Sequence, residues 1–171
     1  MKYSLISGAL YTDDGKAKLA YMKNVFASSE KQVISHDGKE HLSVSIVTGS
    51  SCDGVLHEYV IQDLNMNPLA VARPEYSEKE HPDVCKGPIN RASLVDHAKL
   101  LIKNKEYDLV RKCFQNYEVY EKSGRIAVHI SRRGMIGKWT VDADESIAPT
   151  LLCGLFVFCK YLEKENELFV I

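Results

Sequence analysis

The last third of the sequence contains one dense group of basic side chains: Arg125, Arg132, Arg133 and Lys138. A phosphate-bearing ligand requires convergent hydrogen-bond donors of this kind, and the planar fork of an arginine suits a phosphate well. We therefore take these four as the candidate ligand-binding residues for an anionic head group. The commoner explanation for such a group is a solvated hairpin end, and Glu118 and Glu121 across the predicted turn balance its charge.

A thiol and an imidazole lie close together in the sequence, at Cys52 and His57. A cysteine-dependent hydrolase uses such a pair, because the histidine removes the proton of the attacking thiol. The segment 49–54 is also a good hairpin loop, and neither an oxyanion hole nor a residue that would orient His57 is identifiable. The pair therefore defines an alternative function, and the leading interpretation assigns no catalytic residue.

Three further side chains could be proposed as metal ligands: His81, Cys85 and His97. Their spacing does not match the paired ligands of a zinc site, and each residue type also occurs singly in loops and cores. The sequence has no glycine-rich phosphate loop and neither the HExxH nor the GxSxG motif. We therefore expect neither a metal nor another cofactor.

Length and composition restrict the class of protein. The chain has 171 residues, of which 45% are hydrophobic and 26% are charged, as is usual for one globular domain. Its formal net charge is −1 and its isoelectric point is about 6.6, so no overall positive field attracts nucleic acid. We expect a single domain over residues 1–171 that does not bind nucleic acid.

The cysteines and the first residues indicate where the protein works. There are five widely spaced cysteines and none forms a CxxC pair, which favours a reducing compartment over a disulfide framework. The segment Met1–Tyr11 has a short apolar stretch interrupted by Gly8, and we interpret it as a first strand and not as a signal peptide. The expected location is the cytoplasm, or the cytoplasmic surface of a membrane as a peripheral protein.

Short apolar runs separated by turn residues fill the first third of the chain. Asp-Gly, which supplies the positive φ of tight hairpin turns, occurs at Asp14-Gly15, Asp37-Gly38 and Asp53-Gly54. The run Leu42–Ile46 alternates strictly between apolar and polar residues, as a half-buried strand does. Repeated hairpins at this spacing predict an antiparallel sandwich or barrel.

The segment 92–115 permits two interpretations. Leu94, Ala98 and Leu101 recur at helical spacing, but a turn-like Asn104-Lys105 and the alternation that follows it favour two strands. A clearer hairpin comes next, with strands over 116–121 and 125–132. It should place Ile126, Val128 and Ile130 on one face, and residues 138–143 make one more strand.

The C-terminal segment departs from this pattern and predicts a helix over about 146–165. Asp144, Glu145 and Ser146 provide an N-terminal cap, and Pro149 lies in the first turn, where a missing N–H does no harm. The thirteen residues Ile147–Cys159 carry no charge. Five of them define a core that has no polar side: Leu151, Leu152, Leu155, Phe156 and Phe158.

A helix that is apolar all round must be surrounded by other structure. Thirteen residues of helix cover about 20 Å, which is short of the roughly 30 Å hydrocarbon core of a membrane, so we expect no transmembrane segment. The simplest enclosure is a closed or nearly closed antiparallel β-barrel of about ten to twelve strands, a mainly β (α+β) fold. Gly154 in the helix would let a bulky side chain of a strand come close.

A barrel of consecutive hairpins around a hydrophobic C-terminal helix resembles the tubby-like superfamily, which includes the tubby C-terminal domain, the LURP-one-related proteins of plants and the phospholipid scramblases. The last third of the chain carries this resemblance, in the segments 116–120, 122–125, 132–134 and 137–141 and in the helix 147–162. The first two-thirds share only the rhythm of the strands.

What the resemblance implies for function is binding. Tubby domains bind phosphoinositide head groups through basic side chains, although their lysine and arginine positions have no clear match in this sequence. The cysteine-rich palmitoylation cluster of the scramblases is also missing. The leading function is non-enzymatic binding of an anionic phospholipid or of a protein partner. The alternatives are the hydrolase with Cys52 and His57, and a structural subunit of a larger assembly.

Overall fold

A computed structural model describes residues 1–26, 28–51, 54–76, 95–113, 115–132 and 138–165. These residues form twelve strands followed by one helix. The strands are β1 (Lys2–Ile6), β2 (Ala9–Thr12), β3 (Lys18–Asn24), β4 (Lys31–Ser35), β5 (His41–Ser51), β6 (Gly54–Asp63), β7 (Pro68–Tyr76), β8 (Val95–Ile102), β9 (Lys105–Cys113), β10 (Asn116–Glu121), β11 (Ile126–Arg132) and β12 (Trp139–Ala143), and the helix is α1 (Pro149–Glu165).

The sheet closes on itself. Each strand pairs antiparallel with the next, and β12 pairs with β1 through registers such as Tyr3↔Val141 and Leu5↔Trp139. The N-terminal ammonium group completes the seam, because it donates a hydrogen bond of 2.5 Å to the carbonyl oxygen of Ala143. The predicted antiparallel barrel with a C-terminal helix is confirmed.

The barrel has two rims, because consecutive antiparallel strands reverse direction at each connection. The helix-start rim holds the end of β12, the end of β6 and the first residue of α1. The helix-end rim holds the ends of β3 and β11, the starts of β4 and β12, and the last turn of α1. Hydrogen bonds fix the helix at both rims, from Thr150 to Glu40 at the first and from Tyr161 to Ser29 at the second.

The helix is buried on every side, as the sequence predicts. Its five expected core residues are at most 8% exposed, and Leu152, Leu155 and Phe158 are fully buried. A Cβ atom on Gly154 would lie only 2.5 Å from Cδ1 of Ile61 on β6. Gly154 therefore lets the helix lie close to the barrel wall, as expected from the sequence.

The start of the helix differs from its prediction. Helix α1 begins at Pro149, and Ala148 accepts the first helical hydrogen bond from Leu152 N. The expected cap, Asp144–Ser146, forms a turn before the helix, and no acidic residue lies in the first helical turn. Asp144 lies five residues before Pro149, too far from the first N–H groups of the helix to cap them, and its carboxylate pairs with Arg125 instead, 2.8 Å away.

Two hairpin predictions also need correction. The segment Met1–Tyr11 is not a single strand, because a tight turn at Ser7 and Gly8, both with positive φ, separates β1 from β2. Ile126 does not share the buried face of Val128 and Ile130, because a bulge shifts the register and leaves Ile126 44% exposed.

The remaining strand predictions agree with the structure. Residues 95–113 form β8 and β9 around a turn at Lys103 and Asn104, so the two-strand interpretation of 92–115 is confirmed for the residues described. The first two Asp-Gly turns have the expected positive φ at Gly15 and Gly38. The third prediction falls partly on Asp53, which lies outside the described residues.

Candidate anion-binding site at the helix-end rim

The four predicted binding residues do not form one cluster. Arg125 precedes β11 and Arg132 ends it, so about 20 Å of strand separates their backbones. The Arg125 guanidinium is paired with Glu121 at 2.6 Å and with Asp144 at 2.8 Å, and its hydrogen bond lowers the pKa of the Glu121 carboxyl. Arg125 therefore holds a turn together at the helix-start rim.

Arg132 and Lys138 lie at the helix-end rim, on either side of Trp139. Arg132 faces Trp139 across the β11–β12 ladder, with its guanidinium carbon 5.8 Å from the ring centre. The Lys138 ammonium donates a hydrogen bond of 3.1 Å to Oγ of Ser4 on β1. Arg133 lies outside the described residues, so its part in the site stays a prediction.

Helix α1 brings a further cation to Trp139. The Lys160 ammonium lies 4.6 Å from the centre of the Trp139 ring and 5.7 Å from that of Phe156. Such contacts attract a cation to the negative face of an aromatic ring. Lys160 also makes a 2.6 Å ion pair with Glu163, which fixes its head group in place and offsets part of its charge.

Lys160 forms part of a basic cavity of about 340 Å³ beside the last turns of the helix. Among the described residues that line it, three are lysines and none is acidic: Ser7, Gly8, Met22, Asn24, Lys31, Phe156, Val157, Lys160, Tyr161 and Lys164. Lys31 donates a 2.7 Å hydrogen bond to the amide oxygen of Asn24, which is a neutral acceptor. Lys164 forms no ion pair or hydrogen bond with a described residue and projects at the mouth.

Tyr161 fixes the wall of this cavity. Its hydroxyl lies 2.7 Å from the carbonyl oxygen of Ser29 and 3.0 Å from that of Val44, so the helix is tied to the β3–β4 connection and to β5. Burial raises the pKa of Tyr161 to about 12, and the nearby Glu30 adds to the effect. The phenol is therefore a neutral donor that positions the wall, and the lysines supply the charge.

This arrangement can bind an anion. The three lysines that line the cavity would donate charge-assisted hydrogen bonds to a bound phosphate, and the rings of Phe156 and Tyr161 line it as well. The sequence-based prediction located basic residues of this rim in Arg132 and Lys138 but missed Lys31, Lys160 and Lys164. The sequence did contain one signal for Lys160 and Lys164. Both follow the apolar part of the helix, and the charged end of a helix inside a barrel must lie at a rim, where water can solvate it.

His57 has an acidic partner that sequence reasoning also missed. Its Nδ1 lies 3.1 Å from Glu165 Oε1, and the same oxygen accepts a hydrogen bond of 3.0 Å from the Tyr59 hydroxyl. Glu165 is the last residue of α1 and is 6% exposed. The carboxylate can orient the imidazole, but Cys52 lies outside the described residues, so its pairing with His57 stays a prediction.

Of the three side chains considered as metal ligands, only His97 lies among the described residues. His97 lies between two carboxylates, 2.8 Å from Asp96 Oδ1 and 3.0 Å from Glu75 Oε2, while His81 and Cys85 fall outside the described residues. Among the residues placed by the structure, no group of three or more potential ligands is close enough to hold a metal. Likewise, α1 does not have the length and apolarity needed to span a bilayer.

Comparison with known proteins adds no further assignment to this geometry. No protein-family model, curated protein or solved structure matches the chain. The resemblance to the tubby-like superfamily therefore remains a prediction from the sequence, while the closed barrel around a C-terminal helix is a property of this chain itself.

Proposed function

We propose that this protein is a non-enzymatic binding domain whose ligand is an anionic, phosphate-bearing group held in the cavity at the helix-end rim. One observation carries the proposal: Lys31, Lys160 and Lys164 all line a cavity that has no acidic residue among its described lining. Because the whole chain has a net charge of −1, attraction of an anion must come from this local concentration of positive charge.

The origin of the three lysines favours ligand binding over a chance surface patch. Lys31 begins β4, whereas Lys160 and Lys164 lie one turn apart on α1. Like charges at neighbouring positions of a helix repel each other. Glu163 offsets part of this repulsion at Lys160, and an anion bound between the two lysines would offset more of it. The free, buried thiols of Cys153 and Cys159 agree with the reducing, cytoplasmic location expected from the sequence.

Titration with pyrophosphate tests the proposal, because Trp139 is the only tryptophan of the chain and contacts Lys160. We expect a saturable change in tryptophan fluorescence that weakens as salt is added. Replacing both Lys31 and Lys164 by alanine should weaken binding by about tenfold or more, since two charge-assisted contacts are lost. Neither residue contacts Trp139, so the optical signal is preserved.

The matched control is the Lys16/Lys39 double alanine variant, which removes two lysines of the helix-start rim whose side chains are 84% and 85% exposed. It changes the net charge by the same amount as the Lys31/Lys164 double variant and should leave pyrophosphate affinity unchanged. Equal affinities for wild type and the Lys31/Lys164 double variant would exclude the cavity as the binding site. Arg132→Ala shows whether the predicted basic group on β11 extends that site.

A second candidate function has one specific observation in its favour. The contact between His57 and Glu165 supplies the orienting carboxylate that a cysteine-dependent hydrolase with Cys52 would require. Intact-mass labelling with iodoacetamide tests it, because an activated thiolate reacts faster than an ordinary exposed thiol. This candidate requires rapid modification that Cys52→Ser abolishes and His57→Gln slows. Ordinary reactivity at Cys52 excludes it.

A further inference from the structure

We propose that the helix-end rim docks on an anionic lipid membrane and that Phe26 is the side chain that enters the bilayer interface. This inference rests on the proposed function, because it identifies a membrane lipid as the source of the phosphate group. It goes beyond that function in assigning a docking surface and a residue that need not touch the bound phosphate.

Phe26 is the most exposed large hydrophobic residue that the structure describes. Its side chain is 97% exposed, whereas an aromatic ring of this size normally gains free energy from burial. The exposure is not that of a chain end, because the β3–β4 connection is anchored on both sides of Phe26. Val25 N donates to Glu30 O at 3.3 Å, and Tyr161 holds the Ser29 carbonyl at 2.7 Å.

Basic residues surround the base of this connection. Lys23 is the penultimate residue of β3 and Lys31 is the first of β4, so a lysine stands on each strand that leads to Phe26. Lys31 also lines the anion-binding cavity, which is tied to the Phe26 connection through Tyr161. Glu30, which precedes Lys31, is the one acidic residue in this connection. An exposed aromatic ring with lysines on both leading strands is the pattern of interfacial anchors on anionic membranes.

The shape of the surface favours a bilayer over a protein partner. A stable protein interface needs a contiguous patch of about 800 Å² on each partner, with apolar residues at its centre. Here one aromatic side chain projects from a connection between two lysines. Ile6, at the end of β1, is a second apolar side chain of this rim, but it is only 44% exposed. A fluid lipid interface accepts a single projecting ring.

The opposite rim provides a matched comparison. Leu64 is 76% exposed in the β6–β7 connection, at the helix-start rim. Its connection is closed by the acidic Asp63, whose carboxylate accepts hydrogen bonds from Asn65 and Asn67. Met66, 68% exposed, lies in the same connection as Leu64. Phe26 lies between Lys23 and Lys31, whereas Leu64 and Met66 follow the acidic Asp63, so we expect the helix-end rim to bind an anionic membrane.

Vesicle co-sedimentation of the full chain tests the inference, with phosphatidylcholine vesicles that contain or lack phosphatidylserine. We expect wild type to bind only the vesicles with phosphatidylserine. Phe26→Ala should weaken that binding by roughly tenfold, as loss of an inserted ring predicts, and should leave pyrophosphate binding unchanged. Leu64→Ala should change neither. Phe26 is fully solvated, so its replacement does not threaten folding.

The outcomes separate the two proposals. Pyrophosphate binding without vesicle binding would overturn the docking inference and leave the proposed function standing. Vesicle binding that Phe26→Ala does not weaken would also overturn the inference. If Phe26→Ala instead abolishes self-association, measured by light scattering, the occupant of this surface is a second copy of the chain and the membrane is excluded. In the Phe26→Trp variant, a blue shift of tryptophan emission when vesicles are added is the direct signal that this side chain enters the bilayer. The absence of such a shift would count against the docking inference.

Discussion

Glu165 accepts a hydrogen bond of 3.1 Å from His57, which lies 108 positions earlier in the chain. The Tyr59 hydroxyl donates to the same carboxylate oxygen at 3.0 Å. Tyr59 is fully buried and Glu165 is 6% exposed, so the contact joins the last turn of the helix to β6 inside the helix-end rim. It fixes the end of the helix that carries Lys160 and Lys164.

We therefore expect Glu165→Ala to destabilise the protein. The substitution removes the hydrogen bonds that the Glu165 carboxylate accepts from His57 and Tyr59, a loss of about 2–3 kcal/mol in the free energy of unfolding. Urea denaturation measures it. Glu106→Ala breaks an exposed ion pair with Lys122 and should change stability by less than about 0.5 kcal/mol. Equal losses of stability in the two variants would show that the contacts of Glu165 do not stabilise the end of the helix.

Replacing Tyr117 and Tyr161 by phenylalanine should change the stability of the protein in different ways, although each substitution removes one hydroxyl group. The buried Tyr117 hydroxyl has no hydrogen-bond partner among the described residues, whereas the Tyr161 hydroxyl contacts two carbonyl oxygens. An unsatisfied buried polar group costs about 1–3 kcal/mol, so Tyr117→Phe should leave stability unchanged or raise it by about 1 kcal/mol. Tyr161→Phe should lower it by about 1–2 kcal/mol.

The same denaturation experiment distinguishes these two variants, since both remove a single oxygen atom from a buried ring. Comparable destabilisation by both would mean that Tyr117 does have a partner, for example an ordered water molecule. The burial that leaves this hydroxyl unpaired also raises the pKa of Tyr117, with Cys159 and Glu163 contributing further.

Gly154 and Ile61 should be coupled. Alanine at position 154 gains about 1 kcal/mol of helix propensity, but its methyl group would lie 2.5 Å from Cδ1 of Ile61 in a packed core. Overpacking of this kind costs about 1–3 kcal/mol, so Gly154→Ala should be net destabilising. Ile61→Val removes the clashing methyl group, and in that background Gly154→Ala should become neutral or stabilising.

A double-mutant cycle measures this interaction. We expect a coupling free energy of about 1–2 kcal/mol between the two positions. Simple additivity of the two single effects would show that helix and barrel wall can adjust independently, and that Gly154 does not determine their separation.

Stability should decrease with rising pH because of His97. Partial burial by itself would lower the pKa of this imidazole, but its hydrogen bonds to Asp96 and Glu75 outweigh burial and raise the pKa above the usual value of about 6.5. Since the folded pKa is the higher one, the stabilisation is complete below about pH 6.5 and is lost as the pH rises through the folded pKa.

NMR titration of the His97 ring measures the pKa directly, and urea denaturation across this pH range measures the consequence. His97→Gln should remove this part of the pH dependence, while His36→Gln, at an exposed turn, should not. A His97 that titrates below the usual value would contradict the prediction.

The sequence predicted the fold because the fold depends on local patterns and on one global requirement. Asp-Gly turns and strict alternation at Leu42–Ile46 specify hairpins by backbone conformation and period. The helix needs no partner to be identified, since a run of thirteen uncharged residues must be enclosed. The described helix extends to Glu165, as predicted, but it begins at Pro149, five residues after the expected cap residue Asp144, which pairs with Arg125 instead.

The tertiary structure alone decided which charges act together. Arg125 and Arg132 are close in the sequence, yet a strand carries them to opposite rims, and Lys31 lies more than a hundred residues from Lys160 but lines the same cavity. His57 and Glu165 meet for the same reason. Hydrophobic periodicity repeats along the chain and can be read locally, whereas convergence of polar side chains depends on barrel closure and on the direction of the helix, which no local pattern specifies.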